Sequence, residues 1–266
     1  MYKYEGLLVH ESHDDEGILE VVETQGVRSL HFGSSARQSS IRLNARAELE
    51  LIYVRAMMAW MLFLDEPTQA LVIGLGGGSL TKYLLQHFAQ LQIKAVEYRK
   101  SVVKIARSYF DLPIDPRLKI IIDDGGQFLR QRSETHAGRY QLLFLDAFDH
   151  DGMAPSLCNP AFFDACKSVL TDDGILVLNL WSSDKALFDK ISWWLGQSFN
   201  WRMLFLPVPG RGNIIGFAFA EKVPHFTIKD LRQRAKELEA QHQIEFSLFL
   251  KEFRRHNTQV ISKIIS

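Results

Sequence analysis

Four polar features stand at the ends of short apolar runs, and their residue types suit the handling of a nucleoside. Gly74-Leu-Gly-Gly-Gly-Ser79 follows the apolar stretch Ala70–Ile73. Glycine lets a backbone turn tightly and approach a ligand with no Cβ in the way. Gly74, Gly76, Gly77 and Gly78 are therefore candidate binding positions. Glu97 closes the next apolar run, 23 residues past Gly74. A carboxylate at such a strand end can accept both hydroxyls of a ribose. Asp123-Asp-Gly-Gly126 follows a third run, with Asp124 and Gly125 as candidate binding positions. Asp146-Ala-Phe-Asp149-His-Asp-Gly152 follows a fourth. If Asp146, Asp149 and Asp151 converge, they form an acidic pocket mouth suited to a cationic acceptor.

These residues need a frame, and the hydrophobic pattern supplies one. Ala70–Ile73, Ile93–Val96, Leu118–Ile122, Leu142–Leu145 and Ile175–Leu180 read as strands, with helices over Leu80–Phe88, Val102–Phe110, Phe128–Arg132 and Pro160–Leu170 between them. Strands that are apolar throughout, alternating with helices, predict a parallel sheet covered on both faces. Trp201–Val208 and Asn213–Ala220 read as two more strands, separated only by Pro209-Gly-Arg-Gly212. That gap is too short for a parallel crossover, so the last strand runs antiparallel. Ahead of the sheet, Tyr4–His10, Ile18–Thr24 and Arg28–Phe32 predict a small antiparallel sheet, and residues 46–64 a helix. Beyond Pro224, Ile228, Leu231, Ala235 and Leu238 mark one helical stripe behind a Thr227 N-cap, and Phe246, Phe249, Leu250 and Phe253 a second. The expected division is an N-terminal β-domain over 1–42, a methyltransferase-like α/β domain over 43–222 and a C-terminal helical extension over 223–266. Trp60, Trp193 and Trp194 read as core or interface anchors, whereas Asn179-Leu-Trp-Ser182 ends a strand where Trp181 could face the pocket.

Composition narrows the chemistry. Lysine plus arginine and aspartate plus glutamate both number 31, giving no net charge, which argues against a generic nucleic-acid partner. Cys158 and Cys166 make no disulfide framework, and no Cys-x-x-Cys or Cys/His cluster suggests a metal. A cytoplasmic location is the expectation. The most apolar stretch, Leu51–Leu64, carries Arg55 and is too short for a membrane span, which needs roughly 20 apolar residues. No Gly-Lys dipeptide follows the glycine loop, excluding a phosphate-binding P-loop. The nucleoside could belong to NAD or to S-adenosylmethionine. Ser79 in place of a third dinucleotide glycine and the terminal antiparallel hairpin favour the sulfonium compound.

At these residues the sequence resembles the spermidine synthase (polyamine aminopropyltransferase) family. The matching pieces are Val72-Ile-Gly-Leu-Gly-Gly-Gly78, Ala95-Val-Glu97, Asp124-Gly125, Tyr140-Gln-Leu-Leu-Phe-Leu-Asp146-Ala-Phe-Asp149 and Leu170-Thr-Asp-Asp-Gly174. The resemblance implies an S-adenosylmethionine-dependent methyltransferase-like (Rossmann-like) fold and a homodimer. It also implies transfer of an aminopropyl group from decarboxylated S-adenosylmethionine to an amine acceptor. It assigns Glu97 to the ribose, Asp124 to the adenine, Asp146 as general base and Asp149 to an acceptor amine. Methyl transfer from intact S-adenosylmethionine and a non-catalytic nucleoside-binding member stand as alternatives. The chain departs from the family pattern in three places. Gly77 replaces an aspartate that contacts the aminopropyl nitrogen, Arg55 stands where an acid is usual, and Val208 replaces a tyrosine. If Arg55 shares the acceptor pocket, its charge opposes a dication such as putrescine.

Overall fold

The computed structural model describes residues 4–147, 154–222 and 226–258. Four antiparallel strands come first, in the order β1 (Leu7–Asp14), β2 (Gly17–Thr24), β3 (Val27–His31) and β4 (Ser39–Arg42). The β2–β3 hairpin turns on Gln25 and Gly26, at φ 50° and 78°. Two left-handed residues match the twist of a two-residue hairpin. The expected sheet is present, with β4 as an additional strand. Its Leu19, Val21, Leu30 and Ile41 close over Val102, Ile105 and Phe110.

The seven-stranded sheet has the order β10-β11-β9-β8-β5-β6-β7. Its strands are β5 (Gln69–Ile73), β6 (Gln92–Glu97), β7 (Leu118–Ile122), β8 (Tyr140–Leu145), β9 (Leu170–Trp181), β10 (Met203–Pro207) and β11 (Asn213–Phe219). β5 to β9 are parallel, and β11 runs antiparallel to both β9 and β10, as the short connection requires. Side chains alternate between two cores. Ala70, Val72, Leu142, Phe144, Ile175 and Val177 face one core; Leu71, Ile73, Leu143, Leu145, Leu176 and Leu178 face the other. Burial on both sides is why these strands are apolar throughout. The strand order reverses between β5 and β8, opening a crevice at their carboxyl ends.

Helices α1 (Ile52–Met57), α2 (Ser79–His87), α7 (Ile228–His242) and α8 (Phe246–His256) lie on the first core. α4 (Gly125–Arg132), α5 (Pro160–Val169) and α6 (Lys185–Ser198) lie on the second. α3 (Lys100–Tyr109) carries the small sheet. A capping box between Thr227 and Asp230 starts α7. Asn257, just past α8, accepts from Phe205 N and donates to Phe205 O, closing the outer edge of β10.

The helix expected over 46–64 is much shorter. α1 covers Ile52–Met57 and tightens into a 3₁₀ turn over Met58–Leu62. Arg42 and Arg46 tether the preceding segment through Glu50 and Asp111, both at 2.8 Å. The end is set by Arg234 of α7, which donates to Met61 O and Leu64 O. α6 was not expected, and Asp184 caps it by accepting from Leu187 N. Its Trp193 is 58% exposed and sits edge-on to Trp201, so it is no core anchor; Trp60 is buried. Among the described residues no helix is long and apolar enough to cross a membrane.

Candidate active site

Three backbone hydrogen bonds lace the carboxyl ends of the central strands into one rim. Gly74 N donates to Val96 O, Asp123 N to Glu97 O and Asp146 N to Ile73 O, at 2.9, 3.2 and 2.9 Å. The glycine loop, Glu97, Asp123-Asp124 and Asp146 thereby become neighbours along it. The loop needs its glycines for specific reasons. A Cβ on Gly74 would lie 2.2 Å from Asp146 O, and φ there is 89°. Gly76 and Gly78 are also left-handed, at φ 53° and 76°. A Cβ on Gly77 would meet Ser39 Oγ at 2.6 Å and Phe110 at 3.0 Å. β4 and the end of α3 thus occupy the space into which an aspartate at this position would project.

Glu97 is stitched to the loop. Its Oε2 accepts from Leu75 N and its Oε1 from Arg99 N, both at 2.9 Å. Burial pushes the carboxyl above its ordinary value, while the backbone donors and the Arg99 charge oppose that rise. Arg99 itself pairs with Asp14 at 2.6 Å, bringing the tip of the β1–β2 hairpin beside the loop. With backbone donors from Leu75, Gly76 and Arg99 the carboxylate still keeps part of its acceptor capacity for a ribose hydroxyl. Asp124 caps α4: its Oδ1 accepts from Gln127 N at 2.7 Å and its Oδ2 from Ser156 Oγ at 2.8 Å. A Cβ on Gly125 would lie 2.4 Å from Ile73, so this glycine lets the start of α4 lie against β5.

Asp146 is held between two neutral donors. Tyr53 OH of α1 donates to its Oδ2 at 3.2 Å, and Asn179 Nδ2 of β9 donates to its Oδ1 at 3.0 Å. Desolvation pushes the Asp146 carboxyl above its usual range, and these two bonds partly counter it. The Tyr53 hydroxyl is pushed well above its ordinary value by burial and by the Asp146 charge, so it stays a donor. Asn213 of β11 donates from Nδ2 to Asn179 Oδ1 at 2.9 Å. A desolvated carboxyl whose pKa is raised is better suited to taking a proton from an amine than an exposed one.

The structure brings Gly74, Gly76, Gly77, Gly78, Glu97, Asp124, Gly125 and Asp146 onto the same rim. Asp149 and Asp151 lie outside the described residues. Arg55 turns away from Asp146. Its guanidinium pairs with Glu245 at 2.8 Å and donates to Gln243 O at 3.0 Å. Two residues along a helix is about 200° of turn, so Tyr53 faces Asp146 while Arg55 faces the α7–α8 junction. Val208 is buried in the first core. Sequence reasoning places Asn179 and Asn213 only as strand residues and gives Tyr53 no role. The available signal was an asparagine on each of two otherwise apolar strand faces. Trp181 stays 47% exposed at the end of β9.

A doubly wound sheet with an antiparallel last strand and polar strand-end loops is a methyltransferase-like arrangement. The chain matches the spermine/spermidine synthase domain over residues 50–230. It is 32% identical to a polyamine aminopropyltransferase of Chromobacterium violaceum over 248 residues, 93% of each chain. It resembles a spermidine synthase solved with the transition state analogue AdoDATO at 18% identity and TM-score 0.73, covering 96% of this chain and 87% of that one. It also resembles human methyltransferase-like protein 13 in complex with SAH at 26% identity and TM-score 0.65, covering 73% and 93%. The chain belongs to the spermine/spermidine synthase family.

Proposed function

We propose that the chain transfers an aminopropyl group from decarboxylated S-adenosylmethionine to an amine. The observation that carries this reading is the Asp146 carboxylate, clamped by Tyr53 and Asn179 beside the glycine loop. Glu97 takes the ribose hydroxyls, Asp124 and Gly125 take the adenine edge, and Gly74, Gly76, Gly77 and Gly78 let the backbone approach the donor. Asp149 takes an amine of the acceptor. A free acceptor amine is protonated, with a pKa of roughly 10 by analogy with lysine. Asp146 accepts its proton. The nitrogen lone pair then forms a bond to the propyl carbon as the carbon–sulfur bond breaks. The sulfonium becomes a neutral thioether and leaves as methylthioadenosine. Because the sulfonium already leaves well, the protein supplies mainly alignment and the base. With Arg55 committed to Glu245, its charge is no objection to a diamine such as putrescine. The open edge of β1, carrying the exposed Leu7 and Leu8, supports a homodimer, which sedimentation would test.

One observation favours methyl transfer from intact S-adenosylmethionine as a second reading. No carboxylate stands at Gly77 to hold an aminopropyl ammonium, or to repel a methionine carboxylate. Calorimetry with both donors, followed by mass analysis of the product amine, separates the readings. Tighter binding of the decarboxylated donor and a product gaining an aminopropyl group support the first. A methylated product would replace it with the second.

A further inference from the structure

We infer that Asn213, one hydrogen bond removed from Asp146, is a positioning residue for the reaction; this rests on Asp146 being the base. A side-chain amide has an acceptor end and a donor end of nearly the same shape. Which end Asn179 turns toward Asp146 decides whether it attracts or repels an ionised carboxylate. The ionised carboxylate itself draws the donor end, and Asn213 reinforces that choice from the other side: its Nδ2 donates to Asn179 Oδ1, which holds Asn179 Nδ2 facing Asp146 Oδ1.

The sheet register delivers this contact. Ile215 stands opposite Asn179 and Asn213 opposite Trp181, so Asn213 is the diagonal neighbour of Asn179 on the same face. Deeper along the paired stretch that face is apolar, formed by Ile175, Val177, Ile215, Phe217 and Phe219. Asn179 and Asn213 are only 3% and 5% exposed. Water therefore has little access to take the place of either partner, and buried networks of this kind fix a single arrangement. The chain of donors runs one way, from Asn213 through Asn179 to the carboxylate. Its effect is to favour the ionised Asp146 that the reaction consumes, against the desolvation that opposes it.

The test compares pH profiles of kcat/KM for Asn213→Leu, Asn213→Asp, Asn179→Leu and the double variant Asn179→Leu/Asn213→Leu. In Asn213→Leu the acidic limb moves toward higher pH, and kcat/KM on that limb falls about tenfold. Donor affinity by calorimetry stays that of the parent chain. Asn213→Asp moves the limb further the same way, because the new carboxylate draws Asn179 Nδ2 to itself. The double variant matches Asn179→Leu alone, since Asn213 acts only through Asn179. Should Asn213→Leu fail to fold, Asn213→Ser, too short to reach Asn179, is read in the same way. An unmoved limb in every folded Asn213 variant overturns the inference, as do effects of the two leucines that simply multiply. Asp146→Asn separates the two levels. If it keeps full turnover, the base assignment fails; if it loses turnover while Asn213 variants leave the limb in place, only the relay fails.

Discussion

Two donors meet on one carboxylate, and neither is charged. Tyr53 and Asn179 therefore orient Asp146 while lowering its basicity less than a charged arginine would. Removing one of them weakens the ionised form. We expect Tyr53→Phe to move the acidic limb of the pH profile upward and to cut kcat/KM there by about tenfold. The sign follows from the shift: a carboxyl raised by desolvation is still protonated at pH values where an exposed aspartate has ionised. Activity is thus lost as pH falls through a value above the usual aspartate range. Arg55 gives the opposite result. Its ion pair with Glu245 is part-exposed and contributes on the order of 0.2–1 kcal/mol. Arg55→Met should leave acceptor KM within about twofold of the parent and lower stability by no more than that amount in urea titrations. A marked gain in diamine affinity would put Arg55 back in the acceptor pocket.

At the scale of elements, the glycine loop is fixed from outside as much as from within. Ser39 of β4 and Phe110 fill the space beside Gly77, so the small sheet and the loop are one packing unit. Restoring the carboxylate with Gly77→Asp should therefore fail as a gain of function. It should cost about 1–3 kcal/mol by overpacking, read in urea, and weaken donor binding in calorimetry. Improved binding would show that Ser39 yields easily. The strands, the glycine loop, Glu97, Asp124 and Asp146 were legible because each depends on local pattern: an apolar run ending in glycine or an acid. The helix over 46–64 is overextended mainly at its start, where Arg46-Ala-Glu-Leu-Glu50 suits a helix but Arg42 and Arg46 tether the segment through Glu50 and Asp111. α6 escaped notice although Leu187, Ile191 and Leu195 keep a helical spacing behind Asp184. Tyr53 and Asn213 were illegible as partners of the site. Tyr53 lies 93 positions from Asp146, and Asn213 lies 34 from Asn179, so only strand order and register bring them together.

The whole molecule gives up stability at this rim. Glu97 and Asp146 both have carboxyls raised by desolvation, so the folded chain binds protons more tightly than the unfolded one. Stability from these groups is highest below their unfolded values and declines as pH rises toward the folded ones. The ionised form of either is held against that cost. Asp146→Asn removes one such charge while keeping the shape, and Tyr53 and Asn179 can still bond to the amide. We expect it to be more stable than the parent chain at pH 7, with the difference shrinking toward acid pH. Equal or lower stability would mean that the two hydrogen bonds outweigh desolvation. The same variant supplies the most direct test of Asp146 as the base. Methylthioadenosine release from decarboxylated S-adenosylmethionine is measured with a working amine acceptor, alongside calorimetric affinity for the donor. We expect Asp146→Asn to bind the donor within a few-fold of the parent while turnover falls about 10²–10⁴-fold. Turnover equal to the parent's would contradict the assignment of Asp146 as the group that takes the proton.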